Sequence, residues 1–198
     1  MNLFSRGYIF VFLFCIISCS TEEKNNLSDR ADFNSAALKS LDGRIFSVND
    51  MIHRNGISVI YFLMPGCPMC ETYTLSINEL DEEFSDKGIS FCGVFSSDYY
   101  TDDEITSFRN DFKINIPFYR DVDFKLKQSL GATVTPEVYV LDSTATLLYS
   151  GSIDNWAYAT GKLRMEATKF FLKDALENIV SGKPVEVAST EAFGCIIE

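Results

Sequence analysis

Val59-Ile60-Tyr61-Phe62-Leu63-Met64-Pro65-Gly66-Cys67-Pro68-Met69-Cys70 is the stretch that decides the fold. Apart from Ser58, residues 57–63 are apolar rather than alternating, the pattern of a strand buried on both faces. Met64-Pro65-Gly66 makes a turn into the cysteines. Beyond Glu71, Tyr73, Ile77, Leu80 and Phe84 recur with helical spacing and form one buried stripe. Gly88 is a stop signal for that helix. Strand, turn, C-x-x-C, helix is a context in which two close cysteines carry out redox chemistry. A thiol at the start of a helix faces unpaired backbone N–H groups and the positive end of the dipole, so its thiolate is favoured. A second thiol three residues on lies one turn away and can attack a mixed disulfide formed by the first. Cys67 is therefore read as the nucleophile and Cys70 as the resolving thiol. Pro68 suits the first helical position, where its missing N–H costs nothing.

Around this centre the chain reads as α/β. Asp42-Gly43 is a turn between two short extended pieces, an N-terminal β-hairpin. Asn49-Asp50 is read as the cap of a short helix carrying Met51 and Ile52. His53, the sole histidine, falls near the end of that helix and is read as a surface residue. Residues 89–95 form a second buried strand in which Cys92 acts as an apolar filler. Thr101-Asp102-Asp103-Glu104 is a capping box that opens a helix with Ile105, Phe108 and Phe112 on one face. Residues 116–119 read as extended, 121–130 as a helix stopped by Gly131, and 164–180 as the last helix. Between them Val134-Thr135-Pro136-Glu137-Val138 starts a strand at a proline, the position where a strand tolerates one. A turn at 143–145 leads to an antiparallel partner strand over 146–151.

Composition narrows the function. The 198 residues carry a formal charge of -11, which argues against a nucleic-acid partner. The six cysteines, Cys15, Cys19, Cys67, Cys70, Cys92 and Cys195, are too unevenly spaced for a disulfide framework. Residues 1–18 are read as a signal peptide: Arg6 is the positive region, and residues 8–17 are an apolar core too short to span a bilayer comfortably. Ile16-Ile17-Ser18-Cys19 resembles a bacterial lipoprotein signal, which makes Cys19 the lipidation site. Acyl chains at Cys19 would hold the protein stably on a membrane. Residues 19–31 would be the lipidated tether and 32–198 the folded domain. The resulting address is the bacterial cell envelope, at the periplasmic face or the outer membrane.

The C-x-x-C, the Thr-Pro strand about seventy residues later and the hairpin after it resemble the thioredoxin fold. That fold is a central mixed β-sheet flanked by helices, here with an N-terminal β-hairpin and a C-terminal extension. More narrowly, residues 132–138, 151–155 and the ending Gly182-Lys183-Pro184-Val185 with residues 190–196 are similar to peroxiredoxin-like redoxins. These belong to the alkyl hydroperoxide reductase and thiol-specific antioxidant family. The resemblance implies a cis Pro136 facing the active-site cysteines and a Thr135 backbone free to pair with an extended substrate. It makes Thr135 and Pro136 substrate-binding positions, with Met69, Glu137 and Tyr61 as further neighbours. It also singles out Cys195 as a possible third redox thiol, the alternative being a thiol packed in the tail. Peroxiredoxins place a hydroxyl three residues before the reactive cysteine. Met64 stands there and cannot donate a hydrogen bond.

The preferred reading is a membrane-anchored, extracytoplasmic thiol–disulfide oxidoreductase, a reductase of protein disulfides fed by a membrane electron donor. It needs no cofactor and assigns no metal ligand. Three alternatives stay open. A thiol peroxidase would use Cys67 with Cys70 or Cys195. A copper-binding or delivery module would use the two cysteines with Met64 or Met69 as soft ligands. A redox-silent module would keep the cysteines only to stabilise the turn.

Overall fold

The Asp42-Gly43 turn closes the expected hairpin. β1 (Ala37–Ser40) pairs antiparallel with β2 (Ile45–Ser47), and Gly43 takes the positive φ that the turn requires. The computed structural model describes Phe33 and residues 35–198; the expected signal peptide, the expected lipidation site Cys19 and the expected tether lie outside the described residues. Helix α1 (Val48–Asn55) follows, with Ser47 rather than Asn49 or Asp50 at its N-cap; it contains His53. Among the described residues, no helix is long and apolar enough to cross a membrane.

The apolar run becomes β3 (Ile57–Phe62), and the stripe becomes α2 (Pro68–Phe84), with Tyr73, Ile77, Leu80 and Phe84 buried as read. β4 (Ile89–Phe95) lies parallel to β3. The capping box forms in full at Thr101 and opens α3 (Asp102–Asp111). β5 (Phe118–Asp121), α4 (Lys125–Leu130), β6 (Val134–Thr135), β7 (Glu137–Leu141) and β8 (Leu147–Gly151) come next. A small hairpin of β9 (Ala157–Ala159) and β10 (Lys162–Leu163) precedes α5 (Phe171–Val180), and β11 (Cys195–Ile196) closes the chain. The main sheet has seven strands in the order β2-β1-β5-β4-β3-β7-β8. β3, β4 and β5 are parallel, while β7, β8 and the hairpin run antiparallel to their neighbours. This is the mixed sheet of the expected fold.

The apolar character of β3 now has its reason: both faces of the sheet are covered. Val59 and Tyr61 point into a core with α2, α3 and α5; Ile60 and Phe62 point into a second core with α1, Leu126 and Leu38. β7 divides in the same way, with Val138 and Val140 on one side and Tyr139 and Leu141 on the other. Each large side chain fully buried here contributes roughly 1.5–3 kcal/mol. Cys92 lies in the second core, on the face away from Cys67, and burial pushes its thiol up to about 12. It is an inert packing residue, as its place in the strand suggested.

Two helix boundaries differ from the reading. The fourth helix starts at Lys125, not at residue 121, because Asp121 ends β5 opposite Leu38. Its carboxylate accepts from Ser96 Oγ and from the backbone N–H groups of Leu126 and Lys127, so it caps the helix from a distance. The last helix starts at Phe171, not at residue 164. The Asn155 amide oxygen accepts from the backbone N–H groups of Thr168 and Lys169, which fixes the preceding segment as a loop.

Tyr61 was read as a neighbour of the substrate. It is instead fully buried, stacked on Phe91, and its hydroxyl has no hydrogen-bond partner. Burial holds the phenol well above its ordinary pKa. An unpaired buried hydroxyl costs about 1–3 kcal/mol. Tyr61→Phe should therefore raise the urea midpoint with an unchanged slope, a gain of about 1 kcal/mol by the same principle. A loss of stability would mean that the hydroxyl is paired in solution.

Candidate redox site and its relatives

Cys67 is the N-cap of α2 and Pro68 its first residue, the placement read from sequence. The backbone N–H of Cys67 donates to the Met64 carbonyl, and the N–H of Glu71 to the Cys67 carbonyl, so the turn and the first helical turn are joined at this residue. Opposite stands the Thr135–Pro136 bond, which is cis. Cys67 Sγ lies 3.5 Å from the Thr135 carbonyl oxygen. Thr135 is itself buried, and Pro136 separates the short β6 from β7, the strand read as starting at the proline.

The structure joins Cys67 to Cys195 in a disulfide, with Cα atoms 6.1 Å apart, inside the reach such a bond needs. Cys195 arrives on β11, which pairs antiparallel with β6: Cys195 opposes Thr135, and Ile196 opposes Val134. The Thr135 hydroxyl reaches the Cys195 carbonyl at 3.4 Å, and the Ile197 N–H donates to the Thr133 carbonyl at 3.0 Å. The Thr135 backbone, read as the place where an extended substrate would pair, is thus occupied by the chain's own tail.

Cys70 is a free thiol, fully buried. Burial pushes it up to about 12, while hydrogen bonding with the Thr135 side chain and the Met64 backbone works the other way. With Cys67 bonded to Cys195, Cys70 is left as a free thiol buried next to that bond. Thr135 accordingly touches all three cysteines: Cys67 through its carbonyl, Cys70 through its side chain and Cys195 through strand pairing. Met69 packs against the core beside the disulfide and lines a small apolar pocket there. Glu137 is placed differently from a direct neighbour. Its carboxylate accepts from the Thr133 N–H at 3.0 Å and braces the loop before the proline. Met64, three residues before Cys67, packs into the core. Among the described residues no cluster of three or more His, Cys, Asp or Glu side chains forms that could hold a metal.

Asp154, Thr190 and Gly194 help position the site, although the sequence alone assigned none of them an individual role. Asp154 is buried, accepts from the Tyr73 hydroxyl, and accepts from the Trp156 N–H at 2.8 Å. It ties the insertion that carries β9 and β10 to α2, one turn beyond Cys70. Trp156 meets Tyr73 edge to face. Thr190 anchors the tail: its Oγ1 accepts from the Ser152 N–H at 2.9 Å and lies 2.8 Å from the Tyr149 hydroxyl. Gly194 lets the tail backbone lie against β6. A Cβ there would sit 2.0 Å from the Thr135 carbonyl oxygen. The sequence signal for this docking was the apolar cluster Phe193-Gly194-Cys195-Ile196-Ile197 near the end of the chain.

A helix-capping cysteine, a second cysteine one turn on and a cis-proline strand facing them define a thioredoxin-fold, thiol-based oxidoreductase. Residues 30–150 match the model of the AhpC/TSA family, and the chain belongs to that family. No curated protein matches it. Among solved structures it is similar to a hypothetical protein from Sinorhizobium meliloti (19% identity, TM-score 0.71, covering 83% of this chain and 91% of that one). It is equally similar to an uncharacterised conserved protein from Geobacillus kaustophilus (20% identity, TM-score 0.71, 83% and 89% covered). A secreted disulfide oxidoreductase from Mycobacterium tuberculosis, homologous to E. coli DsbE, shares the fold at 16% identity and a TM-score of 0.52, with 76% and 97% covered.

Gly194→Ala should disturb the tail selectively. Overpacking of this kind costs about 1–3 kcal/mol, so the share of protein with the Cys67–Cys195 bond should fall about tenfold in a glutathione buffer, read by peptide mapping. An unchanged share would show that the tail does not need this close approach.

Proposed function

We propose that the protein is a lipid-anchored, extracytoplasmic thiol–disulfide oxidoreductase that reduces disulfides in protein partners. Cys67 is its nucleophile and Cys70 its resolving thiol. The observation that carries this reading is the strand-borne cysteine bonded to Cys67 while its backbone pairs with Thr135. A site that accepts a cysteine on an extended polypeptide in this way has the shape needed for a protein disulfide. The helix start supports Cys67 as nucleophile and as leaving group, because a thiolate is favoured there. Cys70 lies one turn along the same helix, where attack on Cys67 would release whatever it holds.

Lipidation at Cys19 would place the domain in the cell envelope, and a membrane dithiol donor would return electrons to the oxidised cysteines. A membrane anchor shared with such a donor would favour the reducing direction. The Met64 thioether in place of a hydroxyl weighs against peroxide as substrate, since nothing at that position can donate a hydrogen bond to it.

The test is insulin reduction by the full chain in detergent micelles, together with its redox equilibrium against a dithiothreitol series. A potential near or below about -250 mV, close to that of thioredoxin, fits a reductase. Cys67→Ser should abolish insulin reduction, and Cys70→Ser should accumulate mixed disulfides at Cys67 or Cys195. A potential near about -120 mV would reverse the direction to oxidant. Turnover of hydrogen peroxide without insulin reduction would replace this reading with the peroxidase one.

A further inference from the structure

With the disulfide closed, Cys67 is 1% exposed and Cys70 fully buried, whereas Cys195 is partly exposed. Of the two bonded cysteines, the one on the tail is the more open to a thiol arriving from solvent. Cys195 also borders an apolar pocket of about 280 Å³, walled by Pro68, Met69, Ala157, Leu163 and Phe193. The tail is fastened on both sides of this cysteine. Upstream, the Ser150 N–H donates to the Ala188 carbonyl and the Thr190 N–H to the Ser150 carbonyl, each at 3.0 Å. Downstream, Lys127 Nζ donates to the Ile197 carbonyl at 3.0 Å, and the Ile197 side chain is buried. Two separate moorings therefore flank one reactive sulfur.

We propose that Cys195 is a tethered relay thiol: it exchanges with the protein partner at the pocket, and the Cys67–Cys70 pair takes up the disulfide behind it. The inference rests on the thiol–disulfide reading above and adds a third thiol that contacts the partner. In the reducing direction the Cys195 thiolate attacks the partner disulfide. One partner sulfur leaves and is protonated, and Cys195 holds the other in a mixed disulfide. The Cys67 thiolate then attacks Cys195 Sγ, the second partner sulfur leaves and is protonated, and the Cys67–Cys195 bond of the structure forms. Cys70 next attacks Cys67 Sγ. The Cys67–Cys70 disulfide forms, and Cys195 leaves with the proton Cys70 gives up. The protons lost when Cys195 and Cys67 form their thiolates are the two that the partner sulfurs take up, so the net change is two electrons and two protons from Cys67 and Cys70 to the partner, and a dithiol donor restores them.

The geometry matches each step. Antiparallel pairing with β6 holds Cys195 against Cys67, and Gly194 allows that approach. In the reverse sense, attack on Cys195 expels Cys67, the better leaving group because its thiolate is stabilised at the helix start. Cys70 lies in the first turn of the helix that Cys67 caps, the place from which it can attack the Cys67 sulfur.

The test uses the full-length Cys70→Ser chain in micelles, oxidised to the Cys67–Cys195 form. It is treated with reduced glutathione under native conditions, quenched in acid and mapped. Glutathione should appear on Cys195, with Cys67 free, in about tenfold excess over the reverse, as access and leaving-group strength both direct. Glutathione on Cys67, or a bond that glutathione does not open, overturns the proposal. In the otherwise unaltered chain, Cys195→Ser should slow insulin reduction about tenfold or more, while Cys67 and Cys70 still form their disulfide. A Cys195→Ser chain as fast as the parent would remove the relay and leave the thiol–disulfide reading standing. Failure of the parent chain itself to reduce insulin would sink that reading, and the glutathione map would still decide the part played by Cys195.

Discussion

Two residue pairs, Cys195 with Thr135 and Ile196 with Val134, hold the tail against the cis-proline loop. Backbone pairing is short-ranged and directional, so it fixes where the Cys195 sulfur lies relative to Cys67. A bond that closes a loop across 128 residues also removes much of the freedom of the unfolded chain, worth up to about 5 kcal/mol on the chain-entropy account. The same contact thus organises the reactive thiols and ties the end of the chain to its middle. Thr135 is the meeting point: one residue presents a carbonyl, a hydroxyl and a strand edge to three different cysteines.

The sheet supplies the rigidity that such a meeting requires. β3 ends at the turn into Cys67, and β7 begins just after Pro136; the two strands are neighbours, with Phe62 opposite Glu137. Their pairing sets the distance between the cysteine turn and the proline loop. Apolar layers on both faces keep that pairing in register, because a slip of one residue would exchange the two cores. Gly93 shows how tight the packing is. A Cβ there would come within 2.9 Å of Leu63 and of the Phe118 ring, which is itself held between Phe95 and Phe108.

Much of this was readable from residues alone, and the reason is periodicity. β3 and β4 are apolar runs interrupted only by Ser58 and Ser90, α2 carries one stripe, and α3 has a capping box whose two reciprocal bonds both form. The cysteines at a helix start and the cis-bonded Pro136 followed from motif and resemblance. The resemblance also offered Cys195 as a third redox thiol, but which cysteine pairs with Cys67 stayed open between Cys70 and Cys195. β11 is two residues long, has no period to detect, and pairs with a residue sixty positions away. Asp121 and Asn155 misled the helix boundaries for a related reason. Their side chains bond backbone groups at a distance in sequence, and local propensity carries no trace of that. Glu137 stood beside the right proline but faces the loop behind it.

The upstream mooring of the tail has a consequence for the sheet itself. β8 is its last strand, and such a strand offers unpaired backbone groups to any other chain that comes near. Residues 188–190 cover part of this border, through Ser150 and its bridge to Ser189. At Gly151 the covering backbone runs so close that a Cβ would sit 2.1 Å from the Thr190 carbonyl oxygen. The segment that brings a thiol to the redox centre therefore also acts as a guard against edge-to-edge aggregation. Because that guard is anchored upstream of Cys195, exchange at the sulfur need not strip the border bare.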